Sequence, residues 1–173
     1  DPFRDHQAEY QATEEPRLVD TQPGTYLTIT GKSEPGSDDF KARVRALYKA
    51  AQLIERHKKE GGHDFAISKL EALWWEPARK QSENGTPRFY WKLMVRVPEF
   101  VNDNDLAYAR KQGRADLIDE VWLERIDEGR CLQVLHMGPL EREQDTFARM
   151  EDFAREHGLA FEGFHHEIYL TNP

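Results

Sequence analysis

A chain of 173 residues is long enough to bury one core, as a single domain or as two small fused halves. Charged residues make up 32 %, the mean hydropathy is -0.83 and the net charge is -8. That balance argues against nucleic acid or an anionic membrane as the main partner, because phosphate binding needs a basic face. The single Cys131 rules out a disulfide framework and suits a reducing cytoplasm. No apolar run reaches membrane-spanning length and no signal peptide is visible, so a cytoplasmic location is expected.

In chain order, residues 1–25 are polar and proline-punctuated, with a short apolar piece at Leu18-Val19, and read as an arm. TYLTITGK (25–32) alternates as a strand: Leu27 and Ile29 face one way, Tyr26, Thr28 and Thr30 the other. Ser37 can cap a helix with the stripe Phe40, Val44, Leu47, Ala51 and Ile54, which Gly61-Gly62 ends. FAISKLEALWW (65–75) and RFYWKLMVRV (88–97) are strand-like, joined by a loop from Glu76 to Pro87. In the second of these, Phe89, Trp91, Leu93, Val95 and Val97 share a face. Asn102 or Asn104 opens a short helix around Asp105–Gln112. VWLERIDEG (121–129) and CLQVLHMGP (131–139) read as a hairpin turning at Glu128-Gly129. A helix from about Arg142 to His157 follows, with Phe147, Met150, Phe153 and Ala154 inward and Gly158 as its stop. HHEIYLTNP (165–173) is the final strand.

Two parts of this plan echo one another. YLTITGKSEP, a helix and KLEALWWEP match LQVLHMGPLE, a helix and HHEIYLTNP, and each closing strand carries a Glu six residues before a Pro, Glu71 to Pro77 and Glu167 to Pro173. The expected fold class is α+β. Two pseudo-symmetric strand–helix–strand–strand halves (about 18–100 and 101–173) would form antiparallel sheet, with helices on one face and a ligand cleft on the other. Alternation then places Ile168 and Leu170 toward the helices, and His165, Glu167 and Tyr169 in the cleft with Tyr26, Thr28, Tyr90 and Met94. A chance echo is the alternative, since strand–turn–helix–strand is common.

The stretches PRLVDTQPGTYLTITGKSEP (16–35), KLEALWWEP (69–77), FYWKLMVRVPEFV (89–101), EGRCLQVLHMGP (128–139) and HHEIYLTNP resemble, in order and spacing, the GyrI-like small-molecule-binding domains of the stand-alone bacterial kind. The resemblance implies a tandem fold with a pocket between its halves. It also implies a role among drug-sensing domains, gyrase inhibitors or hydrolases that open the cyclopropane of DNA-alkylating natural products. Glu167, with Tyr169 beside it, matches the family's buried Glu among aromatics; Glu71, Trp74 and Trp75 match the other wall. Two departures stand out: Leu140 occupies a position where relatives often carry Tyr, and relatives continue past the equivalent of Pro173 with a basic segment and a further strand.

Glu167 on an aromatic face would be partly desolvated, which raises a carboxyl's pKa unless a donor or cation compensates. It could attract a lipophilic cation or act as a base toward water; the plain alternative is a strand Glu paired with Lys92 or Arg96. Trp74 and Trp75 point to opposite faces, and matching Glu71 to Glu167 puts Trp75 in the cleft. His165 and His166 also point apart and cannot chelate one ion together, and His136 completes no zinc spacing. His136 and His165 are kept as candidate lining residues. Cys131 has no partner that would make it a nucleophile, and no nucleotide-cofactor motif occurs, so no metal and no cofactor is expected. The candidate catalytic pair is Glu167 and Tyr169. The lining set is Tyr26, Glu71, Trp74, Trp75, Tyr90, Met94, His136 and His165. Three functions stay open: hydrolysis of a strained electrophile, drug binding without turnover, and partnership with gyrase. The protein would act as a monomer or homodimer.

Overall fold

Ser37 starts the longest element. Its hydroxyl accepts from the Phe40 N–H at 3.2 Å and caps the helix Asp38–Glu60. Asp38 and Asp39 in the first turn, and His57, Lys58 and Lys59 in the last, suit the helix dipole at each end. The computed structural model describes residues 2–75, 89–114, 117–139 and 142–171. In chain order these form α1 (Pro2–Asp5), α2 (Gln7–Tyr10), β1 (Arg17–Asp20), β2 (Gly24–Lys32), α3 (Asp38–Glu60), β3 (Leu70–Trp75) and β4 (Tyr90–Val97). There follow α4 (Asp103–Gln112), a 3-10 turn (Ile118–Glu120), β5 (Trp122–Ile126), β6 (Arg130–Gln133), α5 (Glu143–Glu156) and β7 (His165–Ile168). The fold is mixed α+β with antiparallel sheets. Among the described residues no helix is long and apolar enough to cross a membrane.

The backbone closes into two units. The first gathers Gly24–Ile126 and Phe164–Pro173 with the first five residues. Its sheet runs β5-β2-β4-β3-β7, every neighbour antiparallel. Directly opposite residues share a face, so the register sorts the side chains. Ile29, Leu93 and Ala72 stand in one row and Leu27 and Val95 in the next, all buried with Phe40, Leu47, Ala51 and Ile54 of α3. Asn102 caps α4 in a capping box with Asp105, whose carboxylate also takes Lys58 of α3 at 2.8 Å. The second unit, His6–Pro23 with Asp127–Gly163, holds the two-stranded sheet β1-β6 and α5. Asp20 and Arg130, opposite in register, form an ion pair there.

Several expectations change. Leu18-Val19 belongs to a paired strand, not an arm. The hairpin at Glu128-Gly129 does not form: β5 pairs with β2 and β6 with β1. The physical reason lies at Gly129, which takes φ +65 and whose carbonyl accepts both the N–H and the hydroxyl of Thr21, turning the chain onto β1. The strand expected from Phe65 begins only at Leu70, because Phe65 is a buried anchor packed edge-on against Phe100. In the echo, the first copy closes its own strands in the order β2-β4-β3; in the second, β6 joins β1 and β7 joins β3. The loop Glu76–Pro87, Leu140 and Pro173 lie outside the described residues.

Gly31 stands opposite Trp91, and a Cβ there would lie 2.1 Å from the indole, which is fully buried and donates its N–H to the Ser33 carbonyl. Gly31→Ala should therefore cost about 1–3 kcal/mol in urea unfolding through overpacking. An unchanged midpoint would mean that the indole can leave its seat at no cost.

Candidate functional site

Within the first unit the register builds two groups of polar and aromatic side chains, one on each face of the sheet. On the face away from α3, one row reads Thr28, Met94, Glu71 and Ile168 across four strands. Glu71 is 1 % exposed, and His166 Nε2 lies 3.0 Å from its Oε2. Tyr26, Leu73 and Met94 form a buried cluster beside it, with Trp75 and Ile126 against them. The Arg96 guanidinium, also buried, lies 5.6 Å above the Tyr26 ring. At the end of this face Trp75 stacks on Tyr90 at 6.2 Å and tilts against Phe164 at 5.1 Å, while Lys32 sits 4.7 Å over Tyr90. Glu124 reaches from β5 to accept from the Thr28 hydroxyl and from Lys92 at 2.9 Å.

On the face that meets α3, Glu167 stands opposite Ala72 and His165 opposite Trp74. His165 Nε2 is 3.0 Å from Glu167 Oε1, and the Tyr169 hydroxyl donates to Glu167 Oε2. The Tyr169 N–H donates to the Leu70 carbonyl at 3.0 Å, and its ring packs on the α3 core. All three residues are half-buried. Trp74 adjoins them; its ring stacks on Phe40 at 6.1 Å and meets Phe89 edge-on at 6.4 Å. Its Nε1 is buried and, among the described residues, has no hydrogen-bond partner. Burial, with the charge of Glu71 behind it, pushes the neighbouring Tyr48 phenol up.

The sequence expectation of one face is thus corrected. Glu167, Tyr169 and His165 do come together, but opposite to Tyr26, Glu71, Trp75, Tyr90 and Met94. The reason is the register of β7, since antiparallel partners share a face and Ala72, Trp74 and Leu93 belong to the α3 side. Nor is the second face open at its centre, where Tyr26, Thr28, Glu71, Met94 and Arg96 are all buried. His136 lies in the second unit, with Nδ1 2.8 Å from the Thr146 hydroxyl and Nε2 3.1 Å from the Pro139 carbonyl. Sequence reasoning missed His166 as the partner of Glu71, and Glu124 altogether. The alternation Trp122, Glu124, Ile126 carried the signal for Glu124; nothing local pointed from His166 to Glu71.

No protein-family model matches this chain, and no curated protein does. Solved structures do. An uncharacterized conserved protein from Listeria innocua superposes with a TM-score of 0.89 at 28 % identity, over 99 % of this chain and 90 % of that one. A hydrolase from the same organism gives 0.84 at 27 % identity, over 98 % and 93 %. A further solved hydrolase structure from that organism gives 0.87 at 27 %, over 99 % and 90 %. The chain therefore shares its fold along nearly its whole length with bacterial proteins of which some are described as hydrolases.

Glu124 supplies a pH test of the site's electrostatics. Burial alone would raise its carboxyl, but the Thr28 hydroxyl and the Lys92 ammonium outweigh it and hold the group below its ordinary value of 4.5. A depressed folded value means that its stabilisation is fully present above pH 4.5 and is lost as pH falls through the folded value. Lys92→Met should raise the Glu124 titration followed by carboxyl NMR and flatten the acid-side loss of stability. An unmoved titration would assign the depression to Thr28 alone.

Proposed function

We propose that this protein is a small-molecule hydrolase of the GyrI-like kind, acting on lipophilic aromatic compounds that carry a strained electrophilic ring such as an activated cyclopropane. The observation that carries the reading is the cluster His165, Glu167 and Tyr169. It is a half-buried carboxylate on β7, held by an imidazole of the same strand and by the phenol that directly follows it.

Burial and bonding divide the carboxylates of β3 and β7, Glu71 and Glu167, by role. Glu71 is enclosed, whereas the Glu167 side chain keeps 21 % of its surface exposed and can meet a water. Glu167 takes a proton from that water as its oxygen bonds to the ring carbon. The ring C–C bond breaks, its electron pair passes into the conjugated system, and the Tyr169 phenol returns a proton there and is replenished from Glu167. His165 holds the carboxylate from its other oxygen and steadies its charge. Trp74 stands opposite His165, and its N–H, unpartnered among the described residues, is a donor that a ligand carbonyl would satisfy. The hydrolases among the structural neighbours support the reaction class.

A second reading, binding without turnover, is favoured by the row Phe164, Trp75, Tyr90 and Lys32, which presents aromatic surface on the face away from Glu167. Mass spectrometry of a cyclopropane-bearing aromatic alkylator incubated with the protein separates the two. Hydrolysis predicts a water-added, ring-opened product that Glu167→Gln slows by roughly 100- to 10,000-fold, the usual worth of a positioned base. Compound recovered unchanged at the protein-free rate, yet retained on the protein, would overturn hydrolysis in favour of binding.

A further inference from the structure

The last strand is weakly specified by its own sequence. β7 has four residues, and only Ile168 among them is apolar. It lies at the end of the sheet order, paired with β3. Backbone ladder bonds look alike in every register, so they hold a strand to its neighbour without choosing which residue meets which. A slip of one residue would turn Glu167, His165 and Tyr169 to the other face and bring His166 and Ile168 to theirs. The Tyr169 ring just beyond β7 packs on the α3 core, but within β7 itself something other than the apolar pattern must select the register.

We infer that Glu71 and His166 are that selector: a buried cross-strand clamp that fixes β7 in register and thereby presents Glu167. This assignment rests on the reading of Glu167 as the base, and makes Glu71 and His166 positioning residues. Three observations carry it. Glu71 is enclosed on β3, the strand next to β7, where a carboxylate is costly unless bonded, and His166 reaches it at 3.0 Å. The bond joins the two strands that define the register, on the face opposite the reactive group, so it holds the strand without occupying the site. A one-residue slip would carry His166 away from Glu71, whereas the ladder bond that the Tyr169 N–H makes to Leu70 would pass to a neighbouring residue's N–H, leaving the Tyr169 amide turned outward. A single buried polar pair that sets registry at some expense of stability is a well-attested use of such groups.

The test reads register directly. In wild type, NMR should show a cross-strand contact between Leu73 and His166, and the Tyr169 amide should exchange slowly because it donates to Leu70. Glu71→Leu should abolish the contact and speed Tyr169 exchange by roughly tenfold or more, while amides of β2 and β4 keep their protection. Glu71→Gln, which still accepts from the imidazole, should restore both signals. His166→Ala, on the end strand, should repeat the loss and serves as the check if Glu71→Leu does not fold. Retention of slow Tyr169 exchange in either Glu71→Leu or His166→Ala would overturn the clamp. Exchange needs no substrate, so a wild-type protein without hydrolase activity leaves this test standing. An unshifted register together with intact Glu167-dependent turnover would sink the clamp and keep the hydrolase reading.

Discussion

The first unit depends on one constraint: a strand has two faces, and the pairing of β2, β4 and β3 decides which side chains share one. Ile29, Leu93 and Ala72 meet in a row that α3 covers, and this fully buried row forces the intervening residues to the other side. Thr28, Met94 and Glu71 are therefore neighbours because three apolar residues one position away are neighbours too. Burying polar groups such as Thr28, Glu71 and Arg96 opposes folding unless partners replace water. The bonds from Thr28 to Glu124 and from Glu71 to His166, with Arg96 over Tyr26, are among those replacements. Apolar packing sets the frame, and the polar groups on the reverse side are paired within it.

What the sequence made legible follows from this. The α3 stripe, its Ser37 cap and the Asn102 cap of α4 are local signals, each complete within a few residues, and each is realised. The alternation in β2 and β4 was legible as well, because Leu27, Ile29, Leu93 and Val95 are apolar enough to declare their face. The fate of β5 and β6 was not: their pairing partners are distant in sequence, and the turn between them resembles a hairpin turn until the Thr21 bonds to Gly129 are seen.

β7 shows how a correct rule can give the wrong face. Ile168 reads as the core residue, which sends Glu167 and Tyr169 to the opposite side. Tyr169 is amphipathic, however: its ring packs on the α3 core while its hydroxyl reaches Glu167, so it can take a core-facing position that a purely polar residue could not. Ile168 in turn lies opposite Glu71, in a row that also holds Met94. With an aromatic on one face and an aliphatic on the other, four residues of alternation do not choose. Contacts across the sheet do, and those are not written in the strand itself.

The adjacent histidines make the same point chemically. As strand neighbours they point apart, which excludes joint chelation, and the structure gives each a carboxylate on its own side: His166 to Glu71, His165 to Glu167. The two pairs differ in what surrounds them. Glu71 is enclosed on β3, and its bond to His166 spans two strands, so breaking it would disturb the pairing of β3 with β7. Glu167 keeps part of its surface toward water, and its bonds to His165 and Tyr169 lie within two residues along the chain, so trading them leaves that pairing undisturbed. A group that must trade protons during a reaction needs the second kind of environment, and a group that must hold a strand in place needs the first. On the proposed reading, one four-residue strand carries both duties because its period of two gives each histidine a separate face.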